Sequence, residues 1–409
     1  MLMAAAFALL PVGCKQKQDE PMLGVGTPDY GRPLGPGESA LRLITDPARM
    51  PDLVAARRDA DFVTTQAIDR SLTWFAAPSS RQFYPFEDIT HERARQSLVA
   101  FRELLETEPD PQAFESAVRE RFDIYESVGY DNRGTVLFTG YYSPVFAASR
   151  VPTARFTAPL YMRPDDLVTD PVTGEPKGRL GANGTIGPYP TRREIESSRM
   201  FLGRELVWLE TPLDAYIVQV NGSAKLRMPD GSTLFVGYAG KTDQPYTGLG
   251  STLVERGYID RGSISLRAIQ DLYRQDPKLV EDLILVNDNF VFFTTYPGDR
   301  WPAGSLGVKV SDETTLATDK KIYPRGGVVM VETRSVTFSS GQRDFKRLML
   351  DQDTGGAIRA PGRADIFMGV GPSAEILAGG QYAEGRLFYF FLKQRYLDES
   401  PTNAGDVRR

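Results

Sequence analysis

Two early segments place apolar residues three and four positions apart, the spacing of an amphipathic helix. The first follows Thr90 and the second starts at Asp110-Pro111, residue types that are typical of a helix N-terminus. Their apolar stripes are Leu98, Phe101, Leu104 and Leu105 in the first, and Phe114, Ala117, Val118 and Phe122 in the second. Two shorter helices are predicted from Ser263 and from Asp276-Pro277. We interpret these stripes as core-facing surfaces rather than as ligand contacts.

Between and after the helical segments, strand patterns dominate. Residues 135–142 and 215–220 are rich in β-branched and aromatic residues, and Pro229-Asp230-Gly231 predicts a turn between two short strands. Past Trp301 the apolar runs are short and separated by Gly-rich turns. These runs are 328–331, 348–350, 366–367 and 387–392. Five or six such strands predict a small closed β-barrel.

Composition restricts the possible chemistry. The 409 residues predict two or three domains, and 48 basic against 53 acidic side chains show no positive excess that would indicate nucleic acid. The single Cys14 excludes an intrachain disulfide and a thiolate cluster, and the single His91 leaves too few ligands for a histidine-based zinc site. We expect no metal or cofactor, catalysis by carboxylates, hydroxyls and amides, and a surface position for His91.

The cysteine lies directly after a short apolar run, residues 1–13. The run is too short to cross a bilayer as a helix, and it resembles a bacterial lipoprotein signal in which the cysteine becomes lipidated. An ordinary secretory signal with an incidental cysteine is the alternative. Lys15 after the cysteine resembles the outer-membrane sorting class, which implies a lipid anchor at Cys14 on the periplasmic face of the outer membrane. The Pro- and Gly-rich residues that follow predict a flexible tether over residues 15–40.

Three aspartates in the C-terminal strands adjoin apolar residues: Asp319, Asp353 and Asp365. A carboxyl that loses hydration has a raised pKa, so it can stay protonated near neutral pH and act as a general acid. Gly355, in the Gly pair after Asp353, would let backbone amides approach a ligand closely. From spacing alone, a turn or cap role is favoured for each aspartate, and the presence of three in one barrel makes the two interpretations about equal.

Several longer motifs resemble one known family. The run DQDTGGAIRAPGRADIFMG at 351–369 resembles the 3D domain, and Asp319, Asp353 and Asp365 match its three aspartates. The other matching motifs are FTGYYSPVF (138–146), VWLETPLDAYIVQVNGSAKLRMPDG (207–231), VGYAGKTDQPYTGLGSTLVERG (236–257), NDNFVFF (287–293) and GSLGV (304–308). Together they resemble the membrane-bound lytic murein transglycosylase A family.

This resemblance implies a mainly β fold in which a double-psi β-barrel catalytic domain is interrupted by an inserted second β-barrel domain, with a few N-terminal and inserted helices. The expected bounds are 1–14 for the signal, 15–40 for the tether, 41–140 plus 301–396 for the barrel domain, 141–300 for the insert and 397–409 for a disordered tail. The glycan would lie in the groove between the two barrels.

The resemblance also implies a reaction. Family members cleave the β-1,4 bond between N-acetylmuramic acid and N-acetylglucosamine in peptidoglycan and leave a 1,6-anhydromuramic product. The C6 hydroxyl of the sugar is the nucleophile, so one carboxyl can act as acid and then as base. Asp365 matches the catalytic position and Asp353 is its expected electrostatic partner. Substrate contacts are expected from Thr139, Gly140, Tyr141, Gln219, Gly222, Ser223, Gly355 and Asp319.

Alternatives stay open at this point. An inverting hydrolase would use Asp365 as acid and Asp353 or Asp319 as the base that activates water. A non-catalytic lipoprotein could retain the barrel as a glycan-binding module. The tyrosines of 138–146, the segment Gln219 to Ser223 and Asp319 could each be structural. The expected partners are peptidoglycan strands and the membrane, with no nucleic acid and a monomeric state, and cell-wall synthases are left open.

Overall fold

The computed structural model describes residues 28–171, 173–260, 263–339 and 341–397. The predicted signal and Cys14, residues 15–27 of the tether and the tail beyond Leu397 lie outside the described residues. The strands are β1 (Leu41–Leu43), β2 (Phe122–Ser127), β3 (Val136–Ser143), β4 (Val145–Ser149), β5 (Ala158–Tyr161), β6 (Leu167–Thr169), β7 (Pro176–Leu180), β8 (Ile186–Gly187), β9 (Glu205–Leu209), β10 (Ser223–Arg227), β11 (Thr233–Lys241), β12 (Val291–Tyr296), β13 (Thr315–Ala317), β14 (Val328–Thr337), β15 (Gly341–Asp353), β16 (Arg363–Val370) and β17 (Tyr382–Leu392).

Helices are concentrated before β2 and inside the long connection between β3 and β13. The α-helices are α1 (Leu53–Asp59), α2 (Phe62–Ala76), α3 (His91–Thr107), α4 (Pro111–Arg121), α5 (Arg192–Ser198), α6 (Pro212–Asn221), α7 (Leu249–Glu255), α8 (Leu266–Gln275), α9 (Pro277–Ile284), α10 (Pro372–Gly380) and α11 (Gln394–Leu397). Short 3-10 helices cover Pro47–Arg49 and Pro78–Phe83.

Six strands close into a barrel. Their order is β17-β14-β15-β13-β16-β3, and β3 pairs back with β17. The pairs β13–β15 and β16–β3 are parallel, and the other pairs around the barrel are antiparallel. Strands β2 and β1 extend the sheet from β17. The expected mainly β fold with a closed barrel is confirmed.

The N-terminal helices cover this barrel as their apolar stripes predict. The hydroxyl of Thr90 accepts a hydrogen bond from Arg93 N at 3.1 Å at the start of α3, and Asp110 caps α4 through Ala113 N at 2.8 Å. Phe101 of α3 is fully buried in the same core as the barrel strands. Because the caps satisfy amides that lack partners within the helix, both predicted helices begin where the sequence indicates.

The connection between β3 and β13 forms a second β region. Its main sheet has the order β12-β11-β10-β4-β9-β5, and a bridge between Met162 and Phe293 links its two ends. Ala224, Leu226 and Val236 are fully buried in its core. Helices α6 to α9 pack beside this sheet around a separate apolar cluster.

The strand predicted at 215–220 is wrong, because these residues lie in helix α6. The Thr211 hydroxyl accepts a hydrogen bond from Asp214 N at 3.1 Å and caps the start of the helix. Gly222, at φ +72°, ends the helix, and its N–H donates a hydrogen bond to Val218 O. Nearly every side of α6 is buried, so apolar residues occur on all its sides and the helical period is weak. The segment predicted from Ser263 contains a helix that begins three residues later, at Leu266, with Ser265 as the cap.

The surface position expected for His91 is also wrong. Only 8% of this residue is exposed, and its Nε2 lies 2.8 Å from the Ser80 hydroxyl. The rings of Phe75 and Tyr84 flank the imidazole. His91 is the first residue of α3, where that helix meets the 3-10 helix Pro78–Phe83, so a polar residue at a helix start is enclosed by tertiary contacts.

Of the predicted tether, residues 28–40 belong to the described part. Tyr30 donates a hydrogen bond to Glu384 Oε1 at 2.7 Å and packs its ring on Tyr130.

Across the described ranges, none of the helices combines the length and the apolar character that a membrane span requires.

Candidate active site

The barrel places Asp365 in the middle of three adjacent strands. On β16, Asp365 lies opposite Ala317 of β13 on one side and opposite Thr139 of β3 on the other. The Thr139 hydroxyl donates a hydrogen bond to Asp365 Oδ1. Asp365 is half-buried. One carboxylate oxygen is therefore held by Thr139, and the side chain keeps partial access to solvent.

Asp353 joins the same row from the end of β15, where it lies opposite Ala317. Its Oδ2 accepts a hydrogen bond from the Tyr141 hydroxyl at 2.7 Å. Its Oδ1 accepts from the backbone amides of Ser305 and Thr354, both at 2.8 Å. Asp353 thus has three donors, whereas the Thr139 hydroxyl is the donor that holds Asp365.

Burial raises the pKa of Asp365 above the ordinary aspartate range. The Thr139 hydrogen bond and the positive charge of Arg363 act in the opposite direction, and the negative charge of Asp353 raises the pKa further. Loss of hydration penalises the charged form of a carboxyl, so Asp365 retains its proton to higher pH than an exposed aspartate. This is the property required of a general acid near neutral pH.

Burial also raises the pKa of Asp353, against the hydrogen bonds from Tyr141, Thr354 and Ser305 and the charge of Lys320. The pKa of Tyr141 is raised well above its usual value, mainly by burial and then by the adjacent Asp353 charge. The phenol therefore stays protonated and remains a hydrogen-bond donor to Asp353.

Asp319 lies outside this pair and is 6% exposed. Its Oδ1 accepts from Lys321 N and its Oδ2 from Ala360 N, both at 3.1 Å. Arg359 approaches Oδ1 at 3.8 Å. The carboxylate thereby ties the loop after β13 to the loop that leads into β16.

Two of the predicted glycines occupy tight positions near the aspartates. A Cβ on Gly140 would lie 2.8 Å from the Cα of Ala378 in α10, so a side chain there would push α10 away from β3. A Cβ on Gly355 would lie 3.0 Å from Ile358. Both glycines allow close backbone packing beside Thr139, Tyr141 and Asp353.

The polar atoms of the segment 219–223 are engaged by the second β region and its junction. Gln219 Oε1 accepts from Arg192 Nη2 at 2.6 Å. Ser223 lies 2.7 Å from the Ser143 hydroxyl at the end of β3, and both are buried. Gly222 ends helix α6. Their predicted role in substrate binding stays a prediction, and their contacts support the framework.

Arg363 and Ser305 belong to the site but were not singled out from the sequence. Arg363 Nη2 donates to the Thr139 hydroxyl at 3.3 Å, and its Nε is buried without a hydrogen-bond partner in the part of the chain that the structure describes. Arg363 precedes Asp365 by two residues on one strand, so strand alternation already places both on one face. Ser305 lies in the GSLGV motif at 304–308, which marks its loop without indicating the amide contact.

Over the described ranges, no group of three or more His, Cys, Asp or Glu side chains is arranged to hold a metal ion. The site consists of two carboxyls, two hydroxyls, backbone amides and one guanidinium. Such a set can transfer protons and stabilise charge, which is what cleavage of a glycosidic bond requires.

Two family models match the chain. The MltA specific insert domain matches residues 137–294, and the 3D domain matches residues 314–391. The second match contains Asp319, Asp353 and Asp365, and the first ends within β12. The two matches therefore cover the second β region and most of the C-terminal strands.

Several named proteins are similar over most of their length. A membrane-bound lytic murein transglycosylase A from Vibrio cholerae is 34% identical over 283 residues, which are 68% of this chain and 69% of that protein. The Escherichia coli protein of the same name is 31% identical over 272 residues, 65% of this chain and 68% of that protein.

Solved structures of similar proteins have the same fold. A membrane-bound lytic murein transglycosylase from Agrobacterium tumefaciens aligns with a TM-score of 0.71 and 25% identity, over 88% of this chain and 99% of that one. Escherichia coli MltA with bound chitohexaose aligns with a TM-score of 0.65 and 24% identity, over 89% and 99%, and supports the fold. The chain belongs to the membrane-bound lytic murein transglycosylase A family.

Proposed function

We propose that this lytic murein transglycosylase cleaves the β-1,4 bond between N-acetylmuramic acid and N-acetylglucosamine with Asp365 as a single acid and base. The observation that carries the proposal is the state of Asp365. It is half-buried, its pKa is raised, and the Thr139 hydroxyl holds one of its two carboxyl oxygens. The other oxygen can present a proton to the glycosidic oxygen.

In the first step, protonated Asp365 gives its proton to the glycosidic oxygen as the bond to C1 of the muramic acid breaks. The N-acetylglucosamine leaves with a hydroxyl, and positive charge develops at C1. A fixed negative charge stabilises such a centre most strongly where water is excluded. Asp353 supplies that charge in its ionised form, which the hydrogen bonds from Tyr141 and two backbone amides and the charge of Lys320 favour against the effect of burial.

In the second step, the Asp365 carboxylate takes the proton of the C6 hydroxyl while its oxygen bonds to C1. This closes the 1,6-anhydro ring and returns Asp365 to the protonated state, so no water is consumed. The nucleophile belongs to the same sugar, which removes the entropic cost of bringing in a second molecule.

The inverting hydrolase is the second candidate, and the contacts of Asp353 weigh against it. An inverting enzyme needs a second carboxylate that is free to take a proton from water. Both oxygens of Asp353 accept hydrogen bonds from Tyr141, Ser305 or Thr354. Asp319 is engaged by backbone amides and is almost fully buried.

For substrate binding we propose Thr139, Gly140, Tyr141 and Gly355, which adjoin the two aspartates. The relative solved with bound chitohexaose supports a glycan ligand.

The relatives from Vibrio cholerae and Escherichia coli are membrane-bound by name, and we propose that Cys14 carries the lipid that anchors this chain to the periplasmic face of the outer membrane. Replacing Cys14 with Ala should release the protein from the membrane fraction, and unchanged fractionation would contradict the anchor.

Product analysis tests the reaction. Purified peptidoglycan is digested with the wild-type protein and with Asp365→Asn, and the fragments are measured by mass spectrometry. We expect ends lighter by the mass of one water than reducing ends, and no such ends with Asp365→Asn. Reducing ends alone would contradict the transglycosylase mechanism and support the hydrolase.

A further inference from the structure

The register between β13 and β15 slips by one residue next to the site. These strands run parallel, Leu316 lies opposite Asp351, and the following residue, Ala317, lies opposite Asp353. Gln352 therefore has no counterpart on β13. It is an extra residue on β15, which is the definition of a β-bulge.

The bulge decides which face of the barrel Asp353 occupies. Successive side chains along a strand point to opposite faces. In a regular register Gln352 would lie opposite Ala317, and Asp353 would face the side of Leu316. With the extra residue, Asp353 shares the face of Ala317 and of Asp365, which lies opposite Ala317 from the other strand.

The contacts of Asp351 agree with this change of face. Residues two apart in a regular strand share a face. Asp351, two residues before Asp353, accepts hydrogen bonds from Thr318 at 2.9 Å and Tyr389 at 2.8 Å and pairs with Lys320 in the barrel interior. Asp353 instead bonds to Tyr141. The two aspartates have different neighbours because the bulge lies between them.

The side chain of Gln352 is held on all sides. It is fully buried, and its Nε2 donates to Ala67 O at 2.8 Å and to the Ser71 hydroxyl at 3.0 Å, both on helix α2. Its Oε1 accepts from the Thr315 hydroxyl of β13 at 3.0 Å. Both amide hydrogens and the carbonyl oxygen thus have partners, so slipping the bulge would break three buried hydrogen bonds.

The loop before β13 is fitted to the same bulge. A Cβ on Gly304 would lie 2.7 Å from Gln352 O and 3.2 Å from Asp353 Cγ. The next residue, Ser305, donates its amide to Asp353 Oδ1. The loop can approach this closely because residue 304 is a glycine.

We propose that Gln352 is a positioning residue whose side chain, anchored to helix α2 and Thr315, fixes the bulge that brings Asp353 beside Asp365. The proposal rests on the proposed roles of these two aspartates. It also gives the N-terminal helix α2 a part in the site, because Ala67 and Ser71 hold the amide that sets the register.

The electrostatic consequence concerns Asp365. The groups that face it are Asp353 from β15, Arg363 from its own strand and Thr139 from β3, with Tyr141 beside Asp353. Of these, the Asp353 charge raises the pKa of Asp365, and Arg363 and Thr139 lower it. A slipped bulge removes the Asp353 charge, so Asp365 should lose its proton at lower pH.

The test replaces Gln352 with Met, which has a similar length and forms none of the three hydrogen bonds. The pH dependence of peptidoglycan cleavage is measured for the wild type, Gln352→Met, Asp353→Asn and the double variant. We expect the alkaline limb to move to lower pH in both single variants and no further in the double variant, because both changes remove the same charge. We expect kcat to fall by up to about 100-fold, since small misplacements at a reacting centre have such effects.

Asn289→Leu is the matched control. Asn289 is a buried amide in the second β region and donates to Thr242 O at 3.0 Å and Gln244 O at 2.9 Å. This variant should lose stability and leave the pH profile unchanged. If Gln352→Met behaves like Asn289→Leu, losing stability with an unmoved alkaline limb, Gln352 is a core residue and the proposal is overturned.

A second readout separates this proposal from the proposed reaction. Carboxyl resonances of carbon-labelled aspartate are titrated by NMR, with Asp365→Asn to assign the Asp365 signal. The Asp365 pKa should fall in Gln352→Met whether or not the protein forms anhydro products. If Gln352→Met does not fold, Ser71→Ala removes one anchor of the amide and should give a smaller fall. An unchanged Asp365 pKa in the folded variant would contradict the proposal.

Discussion

Two groups of polar side chains are enclosed in this molecule, and they differ in how completely they are satisfied. In the second β region, Arg192 is 2% exposed and donates to Gln219 at 2.6 Å and to the backbone oxygens of Asn287 and Asn289 at 3.0 and 2.7 Å. In the barrel, Asp365 is half-buried, and its carboxyl accepts from Thr139.

The number of hydrogen-bond partners distinguishes a polar group that stabilises the fold from one that can take part in a reaction. A buried charge whose hydrogen-bonding capacity is filled supports the fold, because removing any partner leaves a desolvated group unpaired. A carboxyl with a raised pKa and a free oxygen can exchange protons with a substrate. The partners Gln219, Asn287 and Asn289 lie within motifs of the same family as Asp365, so motif membership alone does not tell the two groups apart.

The largest effect is expected from Asp365→Asn. Loss of the general acid should lower the rate of peptidoglycan cleavage by about 10²–10⁴-fold, while the folded state is retained because an amide of the same shape replaces a half-buried carboxyl. The measurement is clearance of a peptidoglycan suspension together with thermal unfolding. Asp344→Asn, an exposed position on β15, is the matched control and should retain the wild-type rate. Near wild-type activity of Asp365→Asn would show that Asp365 is not the general acid.

The next largest effect is expected on stability, in the second β region. Gln219→Leu should destabilise the protein by about 1–3 kcal/mol, because a buried guanidinium loses a hydrogen-bond acceptor. Urea unfolding measures the loss, and KM for peptidoglycan should change little. A large rise in KM with unchanged stability would instead make Gln219 a substrate contact, as first predicted from its motif.

Asp319→Asn should have a smaller effect, about 1 kcal/mol of stability, because an amide oxygen can replace only one side of the carboxylate. Its two backbone contacts, Lys321 N and Ala360 N, require both oxygens. The rate of cleavage per folded molecule should be retained. Lost activity in a protein of wild-type stability would show that Asp319 acts in catalysis together with Asp353 and Asp365.

The smallest effect is expected on how the free energy of unfolding of the wild type depends on pH. Since the folded pKa of Asp365 is raised, the folded state binds more protons than the unfolded state above the ordinary aspartate pKa. The free energy of unfolding should therefore fall with rising pH until the raised pKa is passed. Asp365→Asn should flatten this fall when urea unfolding is repeated across that range. An identical slope in the variant would mean that Asp365 does not titrate with a raised pKa.

Much of this site was predictable from the sequence, for reasons that differ by residue. Asp353 and Asp365 follow from apolar neighbours together with a resemblance over long motifs. That Thr139 lies beside Asp365 depends on a parallel pairing of β3 with β16, which are separated by the whole second β region. Local hydrophobic pattern carries no information on such a pairing.

The missed features are those in which tertiary contacts override a local pattern. Helix α6 is buried on nearly every side, so its β-branched residues resembled a strand. His91 is enclosed by Phe75 and Tyr84 from another segment. Gln352 interrupts the two-residue alternation from which strand faces are inferred, and only the register against β13 reveals that it does so.

In the proposed reaction the C6 hydroxyl of the sugar, activated by Asp365, replaces water as the nucleophile. Digestion of peptidoglycan in water enriched in heavy oxygen tests it most directly. We expect anhydro ends that carry none of the heavy oxygen, formed at a rate that falls as pH rises through the raised pKa of Asp365. Heavy oxygen at C1 of the new muramic acid ends would contradict it, because a water molecule would then have attacked the sugar.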